Sequence, residues 1–193
     1  MRNLIILFAL CTVVSATFAD DISKNPSVSL AGEKLFLASV EGGSSDTLLN
    51  EYIRKNETFD NWKVLFAVRR VQTTNGVNDV VLRWKAALAQ IDSPGLKVRE
   101  KESSSAMDRR FTLAIRPPGD AFLETDELRF IPAPDGKGVI YYQASVRVDP
   151  KNSSEVMSGL KMQVAFGDAL KTLSVTPIAK MPEQAAEPAP LKK

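Results

Sequence analysis

The sequence predicts an α+β fold in which an antiparallel sheet of about five or six strands packs against two or three helices. Several short segments alternate apolar and polar residues, which is typical of half-buried strands, and they follow one another in pairs joined by turn-forming runs. Other segments place apolar residues at the spacing of a helix with one buried face. Nearly half of the chain is hydrophobic, 44% of 193 residues, so it is long and apolar enough to bury a core.

The strand-like segments predict three hairpins. The first joins residues 33–42 to residues 48–54 across the run GGSSD. The second joins residues 96–102 to residues 109–117 across SSSAMD. The third joins LETDELRFIPA to GVIYYQASVRVD across PDGKG, where proline presets the turn and glycine supplies a positive φ. We expect these six strands to form a sheet that is polar on one side.

Apolar spacing predicts three helices, over residues 59–70, 79–91 and 153–173. Thr58 and Asn152 stand where N-cap residues are preferred. The helices should cover mainly one face of the sheet, with Trp62 and Trp84 buried between helix and strand. Gly159 and Gly167 cost the third helix about 1 kcal/mol each in propensity, which indicates close packing against the sheet.

Residues 1–19 have the plan of a secretory signal peptide, with Arg2 before an apolar run and small residues before Asp20. Cleavage after Ala19 predicts a periplasmic or secreted protein without stable membrane insertion. Two alternatives are an uncleaved anchor, although the apolar run is shorter than the roughly 20 residues that span a bilayer, and lipid attachment at Cys11, although the bulky Leu10 precedes it.

We expect residues 20–180 to form a single α+β domain, because no linker-like run interrupts them. Residues 181–193 are rich in proline and alanine and predict a disordered tail. Such a tail is either a frayed terminus or an extended spacer or docking segment.

Composition excludes several classes of chemistry. The chain has no histidine, and its one cysteine lies in the predicted signal peptide. The mature chain therefore cannot assemble the usual histidine and cysteine metal sites or a nucleophile paired with histidine, and we expect no cofactor. The full chain has 25 basic and 23 acidic residues, which are nearly balanced, so no overall positive field attracts nucleic acid.

Cationic and aromatic side chains supply the candidate binding residues. Arg69 and Arg70 lie near the end of the first predicted helix. With arginines of the second hairpin at positions 109, 110 and 116, they would form a patch for an acidic partner or an anionic polymer. Cations are also favourable at a helix C-terminus without any partner, by about 0.3–1 kcal/mol. Tyr141 and Tyr142 are neighbours on a strand, so one should face outward, and we take Tyr142 as the candidate contact residue.

An acidic run supplies the rival functional hypothesis. Glu124 and Asp126 would share one face of a strand, next to Glu127, and a carboxylate pair is the machinery of many glycoside hydrolases. The alternative is the solvated face of an edge strand. If the run were catalytic, the protein would be a hydrolase that acts on an envelope polymer.

The segment EYIRKNETFDNW resembles a strand end followed by a capped helix in small exported proteins of Gram-negative bacteria. The order of elements is similar to the Mog1/PsbP-like α+β architecture. That resemblance implies a non-catalytic binding or assembly role and transfers no site residue. The sequence therefore favours a non-enzymatic binding or inhibitor-like module for another envelope or secreted protein.

Overall fold

A computed structural model describes residues 21–181, with gaps at 43–46, 92, 94, 104 and 117–121. The predicted signal peptide and all of the predicted tail except Met181 lie outside the described residues. After a short 3-10 turn at Ile22–Lys24, the elements follow in chain order. The elements are β1 (Ser27–Leu30), β2 (Glu33–Glu41), β3 (Thr47–Ile53), β4 (Val64–Val71), α1 (Gly76–Leu88), β5 (Lys97–Lys101), β6 (Arg109–Ile115), β7 (Leu123–Pro132), β8 (Val139–Val148) and α2 (Ser153–Leu170).

The eight strands form one antiparallel sheet in the order β1-β2-β3-β4-β8-β7-β6-β5. The predicted count of five or six strands is therefore wrong, although the fold remains in the α+β class. The three predicted hairpins are present as β2–β3, β5–β6 and β7–β8. The two additional strands are β1, for which no strand is predicted, and β4.

Strand β4 replaces the helix predicted over residues 59–70. It lies between β3 and β8, and its residues from Val64 to Val68 are buried on both faces. A central strand buried on both faces does not alternate apolar with polar residues. Its apolar run therefore fits the residue spacing of a helix as well as that of a strand. Thr58 does bond locally, since its backbone N–H donates to Asn61 Oδ1 at 2.7 Å, but this closes a turn and not a helix.

The two helices lie on opposite faces of the sheet. On the face that we call the α1 face, Val80, Trp84 and Leu88 pack on Phe111 and Phe130. On the other face, the α2 face, Phe166 and Leu170 pack on a cluster from β1, β2, β3, β4 and β8. The prediction that the helices cover mainly one face is wrong. Tyr142 of β8 packs in the cluster of α2, whereas its neighbour Tyr141 packs in the cluster of α1.

Both tryptophans are buried, as predicted, but in different places. Trp84 belongs to α1 and is 8% exposed. Trp62 is 6% exposed and lies before β4 in a third cluster on the α1 face, with Ile53 and Leu65. The guanidinium carbon of Arg147 lies 3.6 Å from the Trp62 ring centre, so a cation covers the ring.

Helix α2 confirms the predicted cap and the predicted role of its glycines. The Asn152 side chain accepts a hydrogen bond from the Glu155 backbone N–H at 3.2 Å. A Cβ at Gly159 would lie 2.6 Å from Val148 Cγ1, and one at Gly167 would lie 3.0 Å from both Glu127 Oε2 and Lys101 Nζ. The absence of a side chain at these positions lets the helix approach the sheet.

The segment after α2 crosses the α2 face without joining the sheet. Asn50, fully buried, donates to the Ile178 carbonyl at 2.9 Å and accepts from the Ile178 N–H at 2.7 Å. The Tyr142 hydroxyl makes the same pair of bonds with Val175. Leu173, Val175 and Ile178 cover the core cluster beneath them. We call residues 172–181 the C-terminal strap. In the described part of the chain, no helix has the length and apolarity needed to cross a membrane.

Candidate functional site

The structure does not bring the predicted cationic residues into one patch. Arg69 lies on the α1 face, where its guanidinium carbon is 5.6 Å from the Tyr141 ring centre. Arg70, the next residue of β4, projects from the α2 face, pairs with Asp135 at 2.5 Å and donates to the Lys137 carbonyl at 3.1 Å. Successive strand residues point to opposite faces, so these two arginines cannot contact one partner surface together.

Neither neighbouring tyrosine faces solvent. Tyr142 is 1% exposed and Tyr141 is 9% exposed. The expectation of one outward ring is wrong, because β8 lies in the middle of a sheet with a helix on each side. Burial raises the pKa of both phenols. Tyr142 holds the C-terminal strap through its hydroxyl.

The acidic run is buried and split between the two faces. Glu124 is held by Arg147 Nε at 3.0 Å on the α1 face. Glu127 lies on the α2 face and accepts from Lys101 Nζ at 2.6 Å and from Thr112 Oγ1 at 3.0 Å. Asp126 is fully buried, and its Oδ1 accepts bonds from Ser145 and Gln143.

Burial, reinforced by the neighbouring Glu124 charge, raises the pKa of Asp126 well above its usual range. Its second oxygen has no hydrogen-bond partner among the described residues. Asp126 therefore lies in a closed polar cluster that favours the neutral form of its carboxyl group. Hydrolysis by a carboxylate pair requires both groups to reach a substrate, and none of these three residues exceeds 6% exposure.

Strand β5 offers the more accessible arrangement. It is one edge of the sheet, and no described strand lies beyond it. Its first four residues are exposed. Lys97, Arg99 and Lys101, which we call the basic strip, project from the α2 face, while Val98 and Glu100 project from the α1 face.

An apolar groove lies beside β5 on the α1 face. It has a volume of about 470 Å³ and runs between the end of α1 and the β5–β6 hairpin. Leu88, Leu96, Val98 and Phe111 line it. Its charged members are Lys85 and Glu100, which pair with each other at 3.1 Å. Apart from this ion pair, the residues that line the groove are apolar.

On the α2 face, Lys101 of the basic strip lies against helix α2, which carries an exposed apolar row. Leu160 and Val164 are 46% and 65% exposed, and they recur with Gly167 at the i, i+4, i+7 spacing of one helix row. Gly167 lies against Lys101, so this part of the helix is close to the end of β5. Thr112 and Ala114 of β6, both half-buried, lie between helix and strand edge.

An edge strand presents unpaired backbone N–H and C=O groups, to which another extended chain can add by main-chain hydrogen bonds. The arrangement around β5 can therefore hold an added strand, with the apolar groove under one set of its side chains and cations beside the other. This hairpin is predicted by the sequence. The position of β5 at the edge is not, because strand order depends on pairings between distant segments.

A protein-family model matches residues 23–174, which is most of the chain, so the chain belongs to that family, which is uncharacterised. A search of curated proteins found no significant match. Among solved structures, the crystal structure of LpqN, involved in cell envelope biogenesis of Mycobacterium tuberculosis, is similar at 10% identity and a TM-score of 0.37, over 75% of this chain and 73% of that one. This likeness is too weak to support an argument. The comparisons do not confirm the Mog1/PsbP-like resemblance or a Gram-negative source.

Proposed function

We propose that this member of the family is an exported, non-enzymatic binding protein that acts on another envelope or secreted protein. The observation that carries the proposal is the β5 edge, an exposed strand with an apolar groove on one face and a basic strip on the other. Folded proteins usually shorten, cover or twist such edges. The opposite edge, β1, has four residues and ends in the buried Leu30, so it offers less backbone to a partner.

The geometry supports binding better than hydrolysis. Glu124, Asp126 and Glu127 are buried, and Glu127 faces away from the other two. Arg69, Arg70 and Tyr142 are not part of the proposed contact, because the arginines lie on opposite faces and the tyrosine is buried.

Export is the second part of the proposal and is supported by the pattern of residues 1–19. N-terminal sequencing of the protein recovered from its native host tests it. We expect a start at Asp20. A start at a lipid-modified Cys11, or an intact N-terminus, would contradict it.

The binding role is tested by site-specific cross-linking. A photo-cross-linking amino acid replaces Val98, which is 42% exposed at the β5 edge. The matched control carries it at Leu82, which is 65% exposed on α1. Both variants are expressed in the native host with the signal peptide intact, irradiated and analysed by mass spectrometry.

We expect a defined exported protein to be cross-linked through position 98 and not through position 82. The same products from both positions would indicate random collision. No product from position 98 would overturn the proposed contact.

A further inference from the structure

We infer that the β5 edge binds an extended segment in which acidic and apolar residues alternate, an inference that rests on the proposed binding function. Side chains of an added strand project alternately to the two sheet faces, in step with those of β5. Each face of the edge therefore recognises every second residue of the bound segment. The two faces of β5 differ sharply in chemistry.

The α2 face favours acidic residues. Lys97 and Arg99 form no salt bridge with any other described residue, whereas Lys101 is paired with Glu127 at 2.6 Å. Arg110, which stands opposite Lys101 in the β5–β6 register, adds a further cation on this face. Opposite charges on neighbouring strands attract, and like charges directly opposite repel.

The α1 face favours apolar residues. Val98 opens onto the groove that Leu88, Leu96 and Phe111 line. Glu100 is the acidic residue of β5 on this face, and it is held by Lys85 at 3.1 Å and by Arg109. Its charge is thus already balanced, and the exposed Val98 and the half-buried Leu96 offer apolar surface to a partner.

Lysine on an edge strand also serves to prevent unwanted pairing. Protection alone requires charge and no recess, whereas β5 combines its basic strip with an apolar groove on the opposite face. The combination favours recognition. The protective role is the alternative that the experiment distinguishes.

The test uses short synthetic peptides and the mature protein. The first peptide alternates aspartate with valine. Three matched peptides have lysine in place of aspartate, the same composition in two blocks, or N-methyl groups on alternate residues. Binding is measured by fluorescence anisotropy, and the contacted residues are mapped by NMR.

We expect the aspartate–valine peptide to bind and to perturb β5 and the groove. The two-block peptide loses the side-chain alternation, and the N-methylated peptide loses main-chain hydrogen bonds. Each should therefore bind at least about tenfold more weakly. The pair Lys97→Glu and Arg99→Glu should weaken binding by a similar factor and accept the lysine–valine peptide instead. Lys151→Glu with Lys180→Glu makes the same charge change at exposed sites elsewhere and should leave binding unchanged.

Three results would overturn the inference. They are equal binding of the alternating and two-block peptides, no binding of either peptide, and full binding of the aspartate–valine peptide to the charge-reversed protein. If charge reversal disturbs folding, Lys97→Gln with Arg99→Gln gives the same ranking of peptides with smaller differences. Failure of the proposed function gives a different result, which is the absence of cross-linking at position 98. If a partner were cross-linked at position 98 with equal yield in the charge-reversed protein, the proposed binding function would stand. The inferred alternation of acidic and apolar residues in the bound segment would be overturned.

Discussion

At the scale of single residues, the α1 face carries a carboxyl group, Glu51, whose charged form is disfavoured by its surroundings. Glu51 of β3 is half-buried, opposite Ala67 in the ladder. Burial, the larger cause, and repulsion from Glu41 together raise the pKa of Glu51 to about 7. The attraction of Arg69 acts in the opposite direction. The folded protein therefore keeps a proton on Glu51 over a pH range in which the unfolded chain has lost it.

This difference predicts the pH dependence of stability. Between pH 4.5 and about 7 the folded state binds the extra proton, so the free energy of unfolding falls as pH rises. Glu51→Gln should remove that part of the decline and stabilise the protein at pH 7 by on the order of 1–2 kcal/mol, after allowance for solvent screening. Urea unfolding from pH 4 to 8 measures it, with the exposed Glu102→Gln as the control for loss of one charge. A wild-type decline that persists unchanged in Glu51→Gln would contradict the assignment.

Trp62 tests the third core cluster. It is 6% exposed, between the Arg147 guanidinium and the β3–β4 surface. Trp62→Ala should destabilise the protein by roughly 3–5 kcal/mol, as for other large buried side chains. Leu82→Ala, at a position 65% exposed, is the matched control and should change stability by less than about 0.5 kcal/mol. A loss below 1 kcal/mol at Trp62 would mean that the cluster is not packed as described.

At the scale of elements, α2 is stabilised by residues that a free helix would avoid. Gly159 and Gly167 are both buried against the sheet. Their positions were predictable from the sequence, because two glycines within an otherwise periodic segment need a packing reason. The neighbours they contact were not predictable, since Val148, Glu127 and Lys101 come from three different strands.

Gly159→Ala separates propensity from packing. Alanine is favoured over glycine in a helix by about 1 kcal/mol. Here its Cβ would lie 2.6 Å from Val148 Cγ1, which belongs to a stiff β-branched side chain. We expect a net destabilisation of roughly 1–2 kcal/mol in urea unfolding, as for other overpacked sites. Ser158→Ala, exposed on the same helix, is the control, and a stabilised Gly159→Ala protein would contradict the close approach.

The C-terminal strap is an element without ladder hydrogen bonds, and Asn50 holds one end of it. Asn50→Ala should cost about 1–3 kcal/mol, because it leaves the partly buried N–H and C=O groups of Ile178 unpaired. Asn50→Asp keeps the acceptor for the Ile178 N–H and loses the donor to the Ile178 carbonyl. Proteolysis within residues 172–181 should accelerate in Asn50→Ala, and unchanged cleavage would show that other contacts fix the strap.

The hairpins could be predicted because each depends on local turn chemistry and local alternation. PDGKG joins β7 to β8 as expected, and Gly136 and Gly138 have the positive φ angles of +69° and +110° that such a turn uses. Strand β4 could not be recognised. Its first part, residues 64–68, is apolar because a helix-bearing core lies on one face and the Trp62 cluster on the other, and only the tertiary structure reveals this.

At the scale of the whole molecule, the sheet is covered unevenly. Helix α2 lies over β7 and β8 on one face, and α1 packs against Phe111, Phe130 and Tyr141 on the other. Most of strand β5 lies outside this cover, since its first four residues are exposed, while Lys101 at its end lies against Gly167 of α2. The candidate site was only partly predictable, since the charges of residues 97–101 are visible in the sequence while their place at an open edge follows from strand order.

Amide hydrogen exchange on the complex tests strand addition at β5 most directly. Exchange is followed by NMR for the mature protein alone and with saturating aspartate–valine peptide, at residues Lys97–Lys101 and, as the internal control, at the other sheet edge, Ser27–Leu30. If the peptide adds as a strand, the outward-facing amides of β5 become protected on binding while those of β1 exchange as before. Binding that leaves β5 exchange unchanged, or that protects both edges equally, would contradict it.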